Sequence, residues 1–294
     1  MLAKALVATD LSPASDALVE CLAGLKDVGT EEVTLAHVIY IPLRYPDTGG
    51  QEEALSKLAD PRLEAQRRRL EAAGFRVKAA MPVGVPYVEL NRLADEVGSD
   101  VIVVGSRGES LLREVVLGSV ASEIIHHARR PVLVMRVGVV ERDGETGCEV
   151  ACHDPFSSVL HPTDFSDNAE RAFAYVESIV SAGCRAVTLL HVQDRVRLGS
   201  HLSERLEEFN EIDTARLERL EARLRGLGAT EVSLELAYGS PTSIVLERAR
   251  SGKHTLIVMG SQGRGFIEEV FVGSVAHNVV RQAPIPVLLV PSNR

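Results

Sequence analysis

The strongest constraint on this chain is that it is written twice. Thr9-Asp10-Leu11-Ser12 returns as Thr163-Asp164-Phe165-Ser166. Val33-Thr34-Leu35-Ala36-His37-Val38 returns as Val187-Thr188-Leu189-Leu190-His191-Val192, and both pairs are 154 residues apart. Gly84-Val85-Pro86 then matches Gly239-Ser240-Pro241, and Gly105-Ser106-Arg107-Gly108 matches Gly260-Ser261-Gln262-Gly263, at an offset of 155. Gly118-Ser119-Val120-Ala121 and Pro131-Val132-Leu133-Val134 recur at that same offset as Gly273-Ser274-Val275-Ala276 and Pro286-Val287-Leu288-Leu289. A constant order with one residue of drift is the signature of a duplicated domain. The 294 residues therefore divide into a domain over 1–140, a linker over 141–157 and a second domain over 158–294. The linker reading rests on a Gly-, Pro- and charge-rich segment that matches neither copy.

Each copy alternates strand and helix patterns. In the first, short apolar runs near 4–8, 33–39, 77–81, 101–104 and 132–137 read as parallel strands buried on both faces. Ser12 is a natural N-cap with Pro13 at the first helical position. Ala14, Ala17, Leu18, Cys21, Leu22 and Leu25 then share one helical face, as do Ala169, Ala172, Phe173, Val176, Ile179 and Val180 after Ser166. Such alternation predicts an α/β fold with a parallel sheet covered by helices on both faces. Residues 42–60, rich in Pro and Gly, read as a long loop over a site, with a shorter counterpart at 193–203.

Composition narrows the function classes. Hydrophobic residues are 45% and charged residues 25%, as in folded globular proteins. No apolar run approaches the roughly 18 residues of a membrane span. No signal peptide pattern follows Met1, and four scattered cysteines make no disulfide framework, so a cytoplasmic location is expected. The net charge is −9, and residues 141–157 alone carry five acidic residues against one basic. With mixed-sign domains and twelve aromatics, none of them Trp, neither nucleic-acid nor membrane partners are expected. Phosphate binding, if present, must be local and backbone-driven.

One motif has that character. Gly105-x2-Gly108-x9-Gly118-Ser119 follows the apolar run Val101–Val104, and Gly260-x2-Gly263-x9-Gly273-Ser274 follows Leu256–Met259. Glycines allow sharp turns and close ligand approach, free N–H groups face anionic oxygens, and a helix opening at Gly-Ser adds its N-terminal dipole. No Lys follows either glycine pair, so this is a different loop from G-x4-G-K-[ST]. Thr9-Asp10 and Thr163-Asp164 end the first strand of each copy, where a carboxylate can accept from ribose hydroxyls.

This constellation resembles the ATP-binding-motif class of the universal stress protein family, in a tandem arrangement covering nearly all of the chain outside 141–157. The resemblance implies two open five-stranded parallel sheets of order 3-2-1-4-5, pseudo-two-fold related, with a crevice between strands 1 and 4. It implies adenine and ribose contacts at Ala8, Thr9, Asp10, Val38 and Gly84, and phosphate contacts at Gly105, Arg107, Gly108, Gly118, Ser119 and Val120. In the second copy these become Pro162, Thr163, Asp164, Val192 and Gly239, then Gly260, Gln262, Gly263, Gly273, Ser274 and Val275. The ligand it implies is ATP or AMP, with or without Mg. Two departures stand out. Glu109 follows Gly108 where the second copy has Arg264, so the second site is expected to bind ATP more tightly. His254-Thr255 stands where the family usually has Ala-Asp, a change expected to bear on helix–strand packing.

Other features read as structural. His37 and His191, inside strand patterns, are expected to be hydrogen-bonded histidines and not catalytic bases. Cys148-x3-Cys152-His153 lacks metal-site spacing, Arg67-Arg68-Arg69 reads as a solvated helix face, and His126-His127 as a helix surface. No catalytic residues and no metal site are assigned, so at most weak ATP hydrolysis is expected. The expected function is an adenine-nucleotide-binding stress-response or signalling protein whose occupancy tunes conformation or partner binding. A slow Mg-dependent ATPase and a nucleotide-independent scaffold or chaperone-like dimer are the alternatives. The apolar last strands, near 132–137 and 287–290, predict an intramolecular pseudo-dimer, with a further homodimer left open.

Overall fold

A computed structural model describes residues 2–40, 51–106, 117–142, 145–150, 154–194, 206–263 and 272–292. The chain separates into two units, Met1–His153 and Asp154–Arg294. The first contains β1 (Lys4–Ala8), α1 (Pro13–Cys21), a 3-10 turn (Leu22–Lys26), β2 (Glu32–Ala36), α2 (Gln51–Ala72), β3 (Arg76–Ala80), α3 (Pro86–Glu96), β4 (Val101–Gly105), α4 (Ser119–His127) and β5 (Val132–Met135). A hairpin of β6 (Val137–Arg142) and β7 (Glu145–Val150) follows. The second unit contains β8 (Ser158–Thr163), α5 (Asp167–Ser181), β9 (Ala186–Asp194), α6 (Leu206–Gly226), β10 (Glu231–Gly239), α7 (Pro241–Arg250), β11 (Leu256–Gly260), α8 (Ser274–Gln282) and β12 (Val287–Val290).

Within the first unit the strands run β3-β2-β1-β4-β5, and within the second β10-β9-β8-β11-β12, all parallel. Both sheets have the expected 3-2-1-4-5 order. The register repeats too: Lys4 faces Glu32 and Ala5 faces Val101, just as Ser158 faces Ala186 and Val159 faces Leu256. Side-chain period in a sheet is two, so this conserved register puts equivalent residues on equivalent faces. The central strands are buried throughout Leu6, Val7 and Val101–Val103, and likewise Val159, Leu160 and Leu256–Val258. The predicted helical faces of α1 and α5 are buried as well, with Ser12 and Ser166 capping through bonds from Ser15 N and Ala169 N. Among the described residues, no helix is long and apolar enough to cross a membrane.

Three expectations need adjustment. Part of the supposed linker is ordered as the β6–β7 hairpin, whose antiparallel register runs from Val137↔Val150 to Arg142↔Glu145 and which lies against α1. Its residues match neither copy because, among the described residues, they form an element that only the first unit has. The long loop over 42–60 is shorter than expected, since α2 begins at Gln51 and carries Pro61 inside it; residues 41–50 lie outside the described set. Finally, the arginine run is not merely a solvated face. Arg67 and Arg68 pair with Glu64 along α2, but Arg69 reaches across to Asp16 and Glu20 of α1.

The second unit also holds a polar residue at its centre. His161 of β8, fully buried, occupies the position of Val7. Its Nδ1 lies 2.8 Å from the Val258 carbonyl, while Nε2 is buried without a partner. Burial pushes its pKa down to about 4, so it stays neutral at neutral pH.

Candidate functional site

The turn after the first strand of each unit is built by its own side chains. Thr9 Oγ1 accepts from Leu11 N, and Thr163 Oγ1 accepts from Phe165 N. Asp10 Oδ1 accepts from Ser12 N, and Asp164 Oδ1 accepts from Ser166 N. These are overlapping ST and Asx turns, which explains why Thr-Asp-x-Ser is repeated as a block. They hold Leu11 at φ 62° and Phe165 at φ 58°, left-handed conformations that cost a non-glycine residue about 1–3 kcal/mol. A second donor fixes each carboxylate: Ser15 Oγ to Asp10 Oδ1 and Ser166 Oγ to Asp164 Oδ1, both at 2.6 Å.

Side chains behind the turn support it. His37 Nδ1 lies 3.0 Å from Thr9 O, and His191 Nδ1 lies 2.7 Å from Thr163 O. Both histidines, His191 within β9 and His37 just past the end of β2, are thus hydrogen-bonded to backbone, as expected. The remaining supports differ. Thr9 Oγ1 donates to Gln66 Oε1 of α2, whose amide continues to Asp16. In the second unit Leu220 takes the place of Gln66, and buried Asp213 of α6 instead accepts from Gln193 and approaches His191 Nε2 at 3.3 Å.

The glycine segment begins on the neighbouring strand. Gly105 and Gly260 end β4 and β11, the strands adjacent to β1 and β8. Ser106 N and Ser261 N bond Met135 O and Val290 O, and Ser106 O and Ser261 O then accept from Gly118 N and Gly273 N. The chain ends on either side of residues 107–117 and of 262–272 are thereby pinned together. Gly118 and Gly273 are the N-caps of α4 and α8, with extended ψ of 156° and 154° and no side-chain cap. The N-termini of α1 and α5, by contrast, are closed by serines. First-turn N–H groups that no capping side chain takes are what an anion requires.

In the second unit the two halves of the site can be seen to meet. A Cβ on Gly263 would overlap the Asp164 carboxylate, and one on Gly260 would sit 2.8 Å from Asn168 Nδ2. Asn168, buried in the first turn of α5, donates to Gln262 O and so ties helix to loop. Ala8, Thr9 and Asp10, like Pro162, Thr163 and Asp164, lie at the carboxyl end of their strand. Val38 follows β2 and Val192 lies in β9, both half-buried. Gly84 and Gly239 adopt φ of 152° and 150° ahead of α3 and α7. Ser119 and Val120, with Ser274 and Val275, form the first turns of α4 and α8. Arg107, Gly108 and Glu109, with Arg264 and residues 152–153, lie outside the described set. Sequence reasoning passed over Gln66, Asn168 and Asp213. Each is a polar residue at a helix position facing the sheet, a departure from apolar patterning that would have singled it out.

Similarity to known proteins agrees with this construction. The pattern of the universal stress protein family matches residues 1–136 and 155–291. A universal stress protein of Mycobacterium tuberculosis is 27% identical over 276 residues, covering 87% of this chain and 86% of that protein. One from Methanocaldococcus jannaschii is 30% identical over 155 residues, covering 46% of this chain and 96% of that protein. The crystal structure of a universal stress protein from Archaeoglobus fulgidus covers 98% of both chains, with a TM-score of 0.76 and 27% identity. Matched in both halves and along its full length, this chain belongs to the universal stress protein family.

Proposed function

We propose that each unit binds one adenine nucleotide, ATP or AMP, and that occupancy tunes conformation or partner binding in a stress-response or signalling role. The reading is supported by one arrangement made twice: a strand ending in a carboxylate already fixed by two donors neighbours the strand whose following helix opens on a glycine with no side-chain cap. Phosphates suit the N–H groups of Ser119, Val120, Ser274 and Val275. Asp10 and Asp164 suit ribose hydroxyls, being acceptors at the carboxyl end of a strand where the order reverses. Gly263 lies against the Asp164 carboxylate, so the start of the glycine loop is held next to the strand-end acid, a closeness that only a residue without Cβ permits.

Mg, if it accompanies ATP, would act on the phosphates, and no residue is assigned to it. Apolar β5 and β12 support pairing of the two repeats and of a second chain, and buried Cys21 and Cys184 suit a reducing cytoplasm. The test is to denature freshly purified protein and quantify released nucleotide. Near two ATP or AMP per chain is expected, and about one would fit occupancy of the second site alone. ADP would favour the slow ATPase. No nucleotide, together with no binding on addition of ATP and Mg, would overturn the proposal and leave the scaffold.

A further inference from the structure

The glycine segment of the second unit has an anchor that the first unit cannot copy. Two bonds are common to both: Ser261 N donates to Val290 O and Ser261 O accepts from Gly273 N, as Ser106 does with Met135 and Gly118. A third is added in the second unit. Asn168 Nδ2, in the first turn of α5, donates to Gln262 O at 3.1 Å. Its Oδ1 accepts from Arg171 at 3.3 Å. Exchanging the amide oxygen and nitrogen would set donor against donor and acceptor against acceptor, so the two partners fix one orientation. In the first unit the same two positions are Ala14 and Ala17, whose side chains can donate nothing.

The contact is close. Asn168 is 6% exposed, and a Cβ on Gly260 would lie 2.8 Å from its Nδ2 and 3.0 Å from its carbonyl oxygen. Glycine at 260 therefore admits the first turn of α5 to the strand end. Arg171 gains little from the arrangement itself, since its Nε is buried without a hydrogen-bond partner and that costs stability. A local rule broken beside a binding site points to a role there. One residue beyond Gln262, Gly263 abuts Asp164. A bond at Gln262 O thus holds the loop in place against the strand-end acid.

We propose that Asn168, aligned by Arg171, is a positioning residue that preorganises the second glycine loop for its nucleotide. This role rests on the nucleotide reading. The discriminating variant is Asn168→Asp: its carboxylate still accepts from Arg171 and suits the first turn of a helix, but it cannot donate to Gln262 O. ATP with Mg would be titrated calorimetrically into full chains that also carry Gly108→Asp, so that the second site is read alone. Asn168→Asp should weaken binding about tenfold or more, the loss of one buried hydrogen bond, with thermal melting close to that of the parent chain. Arg171→Ala should weaken it about threefold without lowering the melting temperature, and Arg171→Lys should restore part of that loss. Amide hydrogen exchange without nucleotide is the independent readout. The Ser261 and Gly273 amides should exchange faster in Asn168→Asp and Arg171→Ala, while Ile257 and Val258 keep their protection. Unchanged exchange at Ser261 and Gly273 would overturn the tether. Unchanged affinity, or affinity and melting that fall together in both variants, would leave it a structural contact and overturn the positioning role. A wild-type chain that binds no ATP would overturn the nucleotide reading and this role with it, and the exchange result tells that failure from a failed tether.

Discussion

The two repeats make the same turn with the same residues and support it with different ones. Leu11 and Phe165 share the left-handed conformation, His37 and His191 brace the same carbonyl, and α4 and α8 open on the same uncapped glycine. Behind that front, repeat 1 uses Gln66 to join Thr9 to Asp16. Repeat 2 uses Asp213 to join His191 to Gln193. The corresponding positions hold Leu220 and Ala59. The turn's backbone conformation and its Thr and Asp acceptors are common to both repeats, while the buried polar support behind them is interchangeable. The two strand-end turns therefore share geometry but need not share stability.

The largest effect should come from placing a charge in the glycine loop. Gly263→Asp would set a carboxylate against Asp164, and repulsion in so confined a place should weaken nucleotide binding at the second site on the order of 100-fold. Gly108→Asp should weaken binding at the first site in the same way. Calorimetric titration of each variant would read the remaining site. If Gly108→Asp leaves the tighter class of sites and Gly263→Asp the weaker, the second repeat is the stronger binder. Equal affinities in the two variants would break that half of the comparison.

Next in size is an acid sensitivity that only repeat 2 should have. The unfolded imidazole of His161 titrates near 6.5 and the folded one near 4, so the folded state binds fewer protons between these values. Its contribution is intact above pH 6.5, is lost as pH falls, and levels off below 4, for a total of about 3 kcal/mol. Hydrogen exchange should show repeat 2 loosening before repeat 1 over this window. His161→Val, which installs the residue of repeat 1, should remove the difference and raise stability at neutral pH by about 1 kcal/mol, since the unpaired Nε2 disappears. An unchanged acid profile in that variant would shift the cause elsewhere.

Why some of this was legible in the sequence and some was not follows from the same contrast. Sheet order and register follow from apolar strands separated by helices, and Thr9-Asp10 with Gly118-Ser119 carry their turn and cap chemistry locally, within a few residues. Gln66 and Asp213 act over separations of 57 and 20 residues or more, and only the packing of α2 and α6 brings them to the turn. The β6–β7 hairpin was hidden for another reason. Its strand residues, Glu145-Thr146-Gly147-Cys148-Glu149-Val150, alternate weakly, and the surrounding Gly and charge resemble a linker. Residues without a local partner are read poorly from a chain, whatever their importance to the site.

Removing Asp213 should have a moderate effect. Asp213→Ala takes an acceptor from Gln193 and Arg216 and a partner from His191. With the site buried, a cost of about 1–3 kcal/mol is expected in denaturant melts. Gln66→Leu, which gives repeat 1 the residue of repeat 2, leaves the Thr9 hydroxyl proton without its acceptor and should cost about 1 kcal/mol. If Ala59→Asp restores part of that loss, the two supports are equivalent solutions; if it adds to the loss, each depends on its own surroundings.

The smallest effect concerns a helix–helix pair that both repeats keep. Arg69 reaches Asp16 and Glu20 from α2 to α1, and Arg223 reaches Glu170 and Glu177 from α6 to α5. These pairs are largely exposed, so charge alone should contribute no more than ~0.5 kcal/mol and should fade in high salt. Arg223 differs in one contact. Its guanidinium lies 4.7 Å from the centre of the Phe173 ring, where repeat 1 has Val19. Attraction to a ring face is less sensitive to salt and adds about 0.5–1 kcal/mol. Arg69→Met should therefore be nearly silent at high salt, while Arg223→Met keeps a measurable cost there. A double-mutant cycle between Arg223→Met and Phe173→Leu isolates the difference. Zero coupling in the cycle would make the pairs equivalent, and the divergence between the repeats would then be confined to their buried interiors.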